Sequence, residues 1–229
     1  MNLLESILRI KQVMGINEQN SGVTTTVTPE PANKSLYKVY HKSVYNISYP
    51  KSATTENALF VFGGVTIGGK DFVYNKVPKD IKENRIVITC EYDETLEGVL
   101  SKIKSDFSGN TNTPTDFKIK SICGYSGGGP NTLKQLGKGY FIGLMDAYID
   151  EMGLMNLKSE IGKSQPFDKI KMLYSFNEWE KYKEIKSPKN PYWNIVEAAK
   201  ILRDSAKELV GESHSGFPVE FFARYHDLI

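Results

Sequence analysis

The chain contains 229 residues, of which 40% are hydrophobic, 11% aromatic and 24% charged. This length is sufficient for one substantial domain with a large core, and these fractions are typical of globular proteins. Twenty-nine basic residues against 27 acidic ones give a formal net charge of +2. This balance argues against a nucleic-acid-binding protein, which usually carries a strong basic excess. The sequence contains no apolar run long enough for a transmembrane segment.

The first 16 residues predict an amphipathic helix, because their apolar side chains recur at helical spacing before Gly15. Glu5 and Arg9 interrupt the apolar stretch that a signal peptide requires, so we expect a cytoplasmic protein, or one that lacks such a signal. Residues 17–35 contain few large apolar side chains and two prolines, which predicts a flexible linker. The helix either packs on the following domain or binds a protein partner or a second copy of the chain.

The chain contains two cysteines and three histidines. Cys90 and Cys123 end apolar, strand-like runs, so we expect them to be buried and reduced rather than linked in a disulfide framework. These residues are too few and too scattered for a metal-ligand set. The sequence therefore predicts neither a metal nor an organic cofactor.

From residue 36 onward, short β-rich runs alternate with helical patterns, which predicts one domain at 36–229. Strands are predicted at 36–41, 44–49, 58–62, 85–90, 117–123, 140–145 and 170–176. Helices are predicted at 95–107, 131–136 and 192–210, the last ending at Gly211. This order predicts an α/β fold with a mostly parallel central sheet, antiparallel N-terminal strands and helices on both faces.

The most informative motif follows the strand predicted at 117–123. Gly124-Tyr125-Ser126-Gly127-Gly128 fits the pattern G-x-S-x-G, and a helix-compatible segment follows it. A strand-to-helix turn this tight strains the backbone at the serine and lifts the hydroxyl above the sheet edge, so Ser126 is a candidate nucleophile. A non-catalytic glycine-rich turn or an anion-binding nest would give the same pattern. A P-loop fits less well, because no lysine follows Gly129.

A second glycine-rich loop follows the strand predicted at 58–62. Acyl chemistry at a serine requires two backbone N–H donors for the developing oxyanion, and glycine allows the backbone to approach closely. Gly127, the residue after the serine, would supply one N–H group, and Gly64 or Val65 would supply the other. A plain tight turn is the alternative interpretation of this loop.

These motifs make the sequence from residue 36 to the end resemble the α/β-hydrolase family. The resemblance rests on the Gly124–Gly128 motif, the Phe62–Val65 loop and the chain order of serine, acid and histidine. It implies an eight-stranded type of sheet, with the site residues on loops at the carboxyl ends of the strands. Phe62 departs from the pattern, because many lipases and esterases carry a histidine before these glycines, and this leaves the second oxyanion donor open.

The resemblance and the chain order indicate a base. His214 lies in a loop after the helix predicted at 192–210, where the family's histidine falls, and we interpret it as the general base. His41 precedes the motifs, and His226 is the fourth residue from the end, on a predicted terminal helix. Both are therefore weaker candidates.

The same resemblance indicates the acid. Asp146 ends the strand predicted at 140–145, where a carboxylate would orient the imidazole tautomer. Glu178, after the next strand, is the alternative acid. Asp168 precedes its strand and should therefore lie at the opposite edge of the sheet.

Together these residues predict a serine hydrolase that cleaves a small-molecule or lipid-like ester, thioester or amide through an acyl-serine intermediate. The alternative is a catalytically inactive hydrolase-like module, bound to a larger assembly through residues 1–16. Fold resemblance alone does not distinguish the two. Residues 150–167 form a segment that could cover the site.

Overall fold

The computed structural model describes residues 36–51, 57–65, 68–109, 115–176, 184 and 190–229. All of them fall within the domain predicted at 36–229. The helix predicted at 1–16, the linker predicted at 17–35 and the alternative acid Glu178 lie outside the described residues.

The described residues form one eight-stranded mixed sheet. Its strands are β1 (Tyr37–His41), β2 (Tyr45–Pro50), β3 (Asn57–Phe62), β4 (Ile86–Cys90), β5 (Lys118–Tyr125), β6 (Phe141–Met145), β7 (Ile170–Tyr174) and β8 (Ala206–Glu208). They lie in the order β1-β2-β4-β3-β5-β6-β7-β8. The β1–β2 and β2–β4 pairs are antiparallel and the other pairs are parallel. This confirms the predicted mixed sheet with antiparallel N-terminal strands.

Seven α-helices are present in the described part of the chain. They are α1 (Gly69–Lys76), α2 (Lys79–Asn84), α3 (Leu96–Asp106), α4 (Gly129–Leu133), α5 (Glu151–Glu160), α6 (Pro191–Leu202) and α7 (Phe217–Tyr225). Local capping explains several of their starts. The side chain of Thr95 accepts a hydrogen bond from Gly98 N at the start of α3, and Asp150 accepts one from Gly153 N at the start of α5.

Two apolar cores lie on the two faces of the sheet, because successive strand residues point in opposite directions. In β3, Phe60 and Phe62 belong to the core formed with α3, α4, α5 and α6. Leu59 and Val61 belong to the second core, formed with α1, α2 and α7. All four side chains are fully buried. This arrangement explains why the strands read as continuous apolar runs, and it confirms that helices cover both faces.

The prediction of one helix over 192–210, ended by Gly211, is wrong. Helix α6 ends at Leu202, because Arg203 has a φ of 51° and turns the chain out of the helix. Ser205 Oγ then donates a hydrogen bond to the carbonyl oxygen of Phe167, and β8 follows by pairing with β7. Pairing with a neighbouring strand therefore overrides the helical pattern of this segment.

Helices α1, α2 and α5 were not predicted from the sequence. Each combines a short length with several charged or polar residues, so its apolar periodicity is weak. Helix α5 lies within the segment at 150–167 that was interpreted as a possible cover for the site.

Candidate active site

The predicted site residues follow strands that end at one edge of the sheet. Strands β3, β5, β6, β7 and β8 are parallel neighbours, so their carboxyl ends lie together. Ser126 comes directly after β5, and Asp146 comes directly after β6. His214 lies in the connection between β8 and α7. In open α/β sheets this edge is the usual position of ligand sites.

The turn at Ser126 has the strained backbone that its motif predicts. Ser126 has a φ of 51°, in the left-handed region that side chains other than glycine rarely adopt. It begins a short 3-10 turn, Ser126–Gly128, that leads directly into α4. A Cβ atom at Gly128 would lie 2.6 Å from the carbonyl oxygen of Phe62. Only glycine fits at this position, because the turn after β5 passes close to the end of β3.

Asp146 is a fully buried carboxylate with partners on both oxygens. Its Oδ1 accepts a hydrogen bond of 3.0 Å from the backbone N–H of Ser175, which follows β7. Its Oδ2 lies 2.6 Å from Nδ1 of His214. The backbone of Asp146 has a φ of 44° and is held by its N–H, which donates to the carbonyl of Leu173. These bonds compensate for the removal of the carboxylate from water.

His214 begins the 3-10 turn His214–Gly216, and its side chain is 24% exposed. Besides the carboxylate, its ring stacks on Tyr125, with 4.8 Å between the ring centroids and 28° between the planes. The imidazole therefore lies beside the residue that precedes Ser126. Within the described residues no hydrogen bond joins Ser126 Oγ to the imidazole, so direct contact between them stays a prediction. Such bonds are often long until a ligand is present.

The glycine-rich loop after β3 lies against the serine turn. A Cβ atom built on Gly64 would lie 3.4 Å from Ser126 Cβ. A Cβ atom on Gly127 would lie 3.4 Å from Val65 N and would overlap Val65 Cγ2. All three residues proposed as oxyanion donors from the sequence are therefore neighbours of the candidate nucleophile.

The other two histidines lie in exposed positions. His41 ends β1, its side chain is 63% exposed, and its Nδ1 lies 2.9 Å from Asn46 Oδ1. His226 is 51% exposed and contacts Asp227. Asp168 lies in the 3-10 turn before β7, at the start of that strand, as the sequence predicted.

The two cysteines are buried free thiols, as the sequence predicts. Cys90 and Cys123 are both fully buried and free, and burial raises the pKa of each thiol. A thiol with a raised pKa is a poor nucleophile and metal ligand at neutral pH. No group of three or more histidine, cysteine or acidic side chains that could hold a metal ion occurs among the residues that the structure describes.

Two contacts of the site could not be predicted from the sequence. Ser175 supports Asp146 through its backbone N–H, which any residue except proline could supply at that place. The only available signal was the adjacency of two parallel strands. Tyr125 meets His214 across a long stretch of chain, and no local sequence pattern indicates this contact.

Known proteins resemble this chain in structure but not in sequence. No protein-family model and no curated protein sequence matches the chain. A structure described as a predicted CIB-like hydrolase from Thermoplasma acidophilum is similar, with a TM-score of 0.51 and 14% identity over 83% of this chain and 97% of that chain. The dienelactone hydrolase of Anabaena variabilis has a TM-score of 0.50 and 13% identity over 83% and 99%.

At these identities the similarity concerns the fold, since one fold serves many activities. In the described part of the chain, no helix is both long and apolar enough to cross a membrane. The two similar hydrolases match this chain in overall fold, which here is a mixed eight-stranded sheet with helices on both faces. The chain therefore has the α/β-hydrolase fold.

Proposed function

We propose that the protein is a serine hydrolase that cleaves an ester, thioester or amide through an acyl-serine intermediate. The 2.6 Å contact between His214 Nδ1 and the buried Oδ2 of Asp146 carries this proposal. A carboxylate at Nδ1 holds the proton on that nitrogen, which leaves Nε2 as the ring atom that accepts a proton. The strained turn at Ser126 lies at the same edge of the sheet.

In the first half of the reaction, Ser126 Oγ attacks the carbonyl carbon of the substrate and its proton passes to His214 Nε2. The oxyanion accepts hydrogen bonds from the N–H group of Gly127 and from that of Gly64 or Val65. When the tetrahedral intermediate collapses, the bond to the leaving group breaks. The leaving alcohol, thiol or amine takes the proton from Nε2, and an acyl-serine remains.

In the second half, water attacks the carbonyl carbon of the acyl-serine and gives one proton to His214 Nε2. The second tetrahedral intermediate then breaks its bond to Ser126 Oγ. Nε2 returns the proton to that oxygen, and the free acid leaves. Asp146 stabilises the imidazolium that forms twice in this cycle and does not itself change its protonation.

The substrate class rests on the similar folds. Both similar structures are named as hydrolases, and one is a dienelactone hydrolase. This supports a small-molecule ester as the substrate of the chain.

Covalent labelling tests the proposed nucleophile. A fluorophosphonate probe should add one equivalent to the wild-type protein, detected by intact mass, because only an activated serine reacts. Ser126→Ala should not be labelled and should not hydrolyse p-nitrophenyl butyrate. Ser213→Ala is the matched control, since it removes the hydroxyl next to His214 in the chain and should be labelled normally. A wild-type protein that neither labels nor hydrolyses would indicate the inactive module instead.

A further inference from the structure

We propose that Tyr125 is a positioning residue, whose ring holds both the imidazole of His214 and the Gly64 loop against the serine turn. This inference rests on the proposed function, because it assigns a role in the same reaction. Tyr125 occupies the variable position before the serine in the motif, and its side chain is 6% exposed.

Three aromatic rings are stacked one on another beside the candidate nucleophile. Phe72 of α1 stacks on Tyr125 with 5.4 Å between the centroids and 27° between the planes. Tyr125 in turn stacks on His214 at 4.8 Å and 28°. Stacked rings at such separations attract each other beyond the area they bury. The imidazole is therefore the last member of a stack that begins on the helix after the glycine-rich loop.

The edge of the same tyrosine ring reaches the proposed oxyanion loop. A Cβ atom built on Gly64 would lie 3.1 Å from Tyr125 Cε1 and 3.3 Å from Tyr125 Cδ1. Any larger residue at position 64 would press on the ring. One side chain thus lies next to the loop that would stabilise the oxyanion and stacks on the ring that would act as base.

The backbone of Tyr125 is a rigid support for these contacts. It is the last residue of β5, which pairs with β3 on one side and with β6 on the other. Within this ladder Tyr125 lies opposite Met145, the residue before Asp146. Sites on strands are held more accurately than sites on loops. The backbone of His214 lies in a loop. The ring of Tyr125, which is held by the sheet, therefore restrains the position of the His214 side chain.

The two contacts of His214 constrain different movements of its ring. The hydrogen bond to Asp146 fixes the position of Nδ1, but the ring can still tilt about that atom. The stacked contact with Tyr125 restrains the plane of the ring, and with it the direction of Nε2. Proton transfer depends steeply on this direction, since a misplacement of about 1 Å can cost about 100-fold in rate.

Two substitutions at Tyr125 separate the ring from its hydroxyl. Tyr125→Leu should lower kcat for p-nitrophenyl butyrate about 10- to 100-fold, with KM changed less than about twofold, because binding groups stay in place. Tyr125→Phe keeps the stack and should stay within about threefold of wild type. Phe141→Leu is the matched control, because Phe141 is 7% exposed in the same core but lies at the start of β6. It should lose stability and keep kcat.

A spectroscopic measurement tests the contact without using activity. The ring proton signals of His214 should be displaced by the ring current of Tyr125 in the wild type and in Tyr125→Phe. They should move in Tyr125→Leu, while those of His41 and His226 stay in place. Phe72→Leu removes the outer ring of the stack and should give smaller changes in both kcat and signal position, which keeps the proposal testable if Tyr125→Leu does not fold.

The outcomes separate this inference from the proposed function. A folded Tyr125→Leu protein with wild-type kcat and unmoved His214 signals would overturn the role of Tyr125 while leaving the hydrolase intact. If Tyr125→Leu does not fold, a Phe72→Leu protein that matches the wild type in both readouts would do the same. A wild-type protein that is neither labelled nor active would overturn the proposed function itself.

Discussion

His214 and Asp146 are joined by a contact of 2.6 Å across 68 residues of chain. Asp146 follows β6 and His214 follows β8, so the contact spans the end of β7. Strand β7 contributes the N–H of Ser175 to the other oxygen of the carboxylate. The orientation of the imidazole therefore depends on three neighbouring strands keeping their parallel register.

The first prediction concerns this carboxylate. Asp146→Asn should lower kcat by about 10²- to 10⁴-fold, because an amide group facing Nδ1 favours the wrong imidazole tautomer. Asp168→Asn is the control, since its side chain lies at the other end of β7, and it should keep wild-type kcat. Steady-state hydrolysis of a p-nitrophenyl ester measures both. Full activity in Asp146→Asn together with a loss in Glu178→Gln would transfer the acid role to Glu178.

The second prediction concerns the base. Wild-type kcat should fall at acid pH, because a protonated imidazole cannot accept the proton of Ser126. His214→Ala should reduce hydrolysis to near background at every pH and so remove this limb. His41→Ala and His226→Ala should keep both the rate and the limb, since their side chains are exposed and lie elsewhere. A pH profile of kcat for the four proteins checks the assignment, which an intact limb in His214→Ala would contradict.

Strand ends were the part of the site that sequence reasoning could find. Apolar runs that stop at a glycine-rich turn or at a carboxylate indicate where parallel strands end, and parallel strands gather these ends at one edge. This reasoning led to Ser126 and Asp146, which follow β5 and β6. The loop after β3 was found in the same way, because Gly63 and Gly64 directly follow an apolar run.

The parts of the fold and of the site that the sequence did not predict depend on contacts between segments far apart in the chain. Such contacts leave no local pattern in the sequence. Strand β8 has only three residues, of which Lys207 and Glu208 are exposed, and it exists because β7 offers a pairing edge. Its sequence continues a helical pattern, so local reasoning extends α6 too far. The stack of Tyr125 on His214 has the same character, since neither residue indicates the other.

The third prediction concerns the proposed oxyanion loop. Gly127→Ala should lower kcat about 10- to 100-fold, because the new methyl group overlaps Val65 Cγ2 and displaces the loop from the serine. Adding Val65→Ala in the same chain should restore part of the loss, since it removes the atom that collides. Steady-state hydrolysis of p-nitrophenyl butyrate gives kcat for the three proteins. Wild-type rates in Gly127→Ala would show that this loop does not serve the reaction.

The fourth prediction concerns the segment before the domain. Deleting residues 1–33 should leave a folded and active protein, because the composition of residues 17–35 predicts few contacts with a core. Thermal unfolding and esterase rates of the truncated and full chains measure this directly. Light scattering on both proteins tests whether residues 1–16 drive self-association. A truncated chain that aggregates or loses activity would show that the segment belongs to the domain.

The fifth prediction concerns Lys82, a buried lysine in α2. It is 7% exposed, its Nζ lies 4.3 Å from the ring centroid of Tyr74, and burial lowers its pKa to about 8. Contact with the ring favours the ammonium form, so burial outweighs this attraction. In the unfolded chain a lysine has a pKa of about 10.4. Between these two values the unfolded state binds more protons, so the free energy of unfolding should rise with pH from about 8 to about 10.

Lys82→Met should remove this rise and should increase the free energy of unfolding at pH 7 by about 1 kcal/mol, because no ammonium group is then buried. Lys79→Met is the matched control on the same helix, since its side chain is 68% exposed, and it should keep the rise. Urea unfolding at pH 7, 8, 9 and 10 measures all three proteins. The raised pKa values of the buried cysteines lower the free energy of unfolding at high pH. This effect is the same in all three proteins, so it cancels when their free energies of unfolding are compared. Parallel pH profiles for the wild type and Lys82→Met would contradict the prediction.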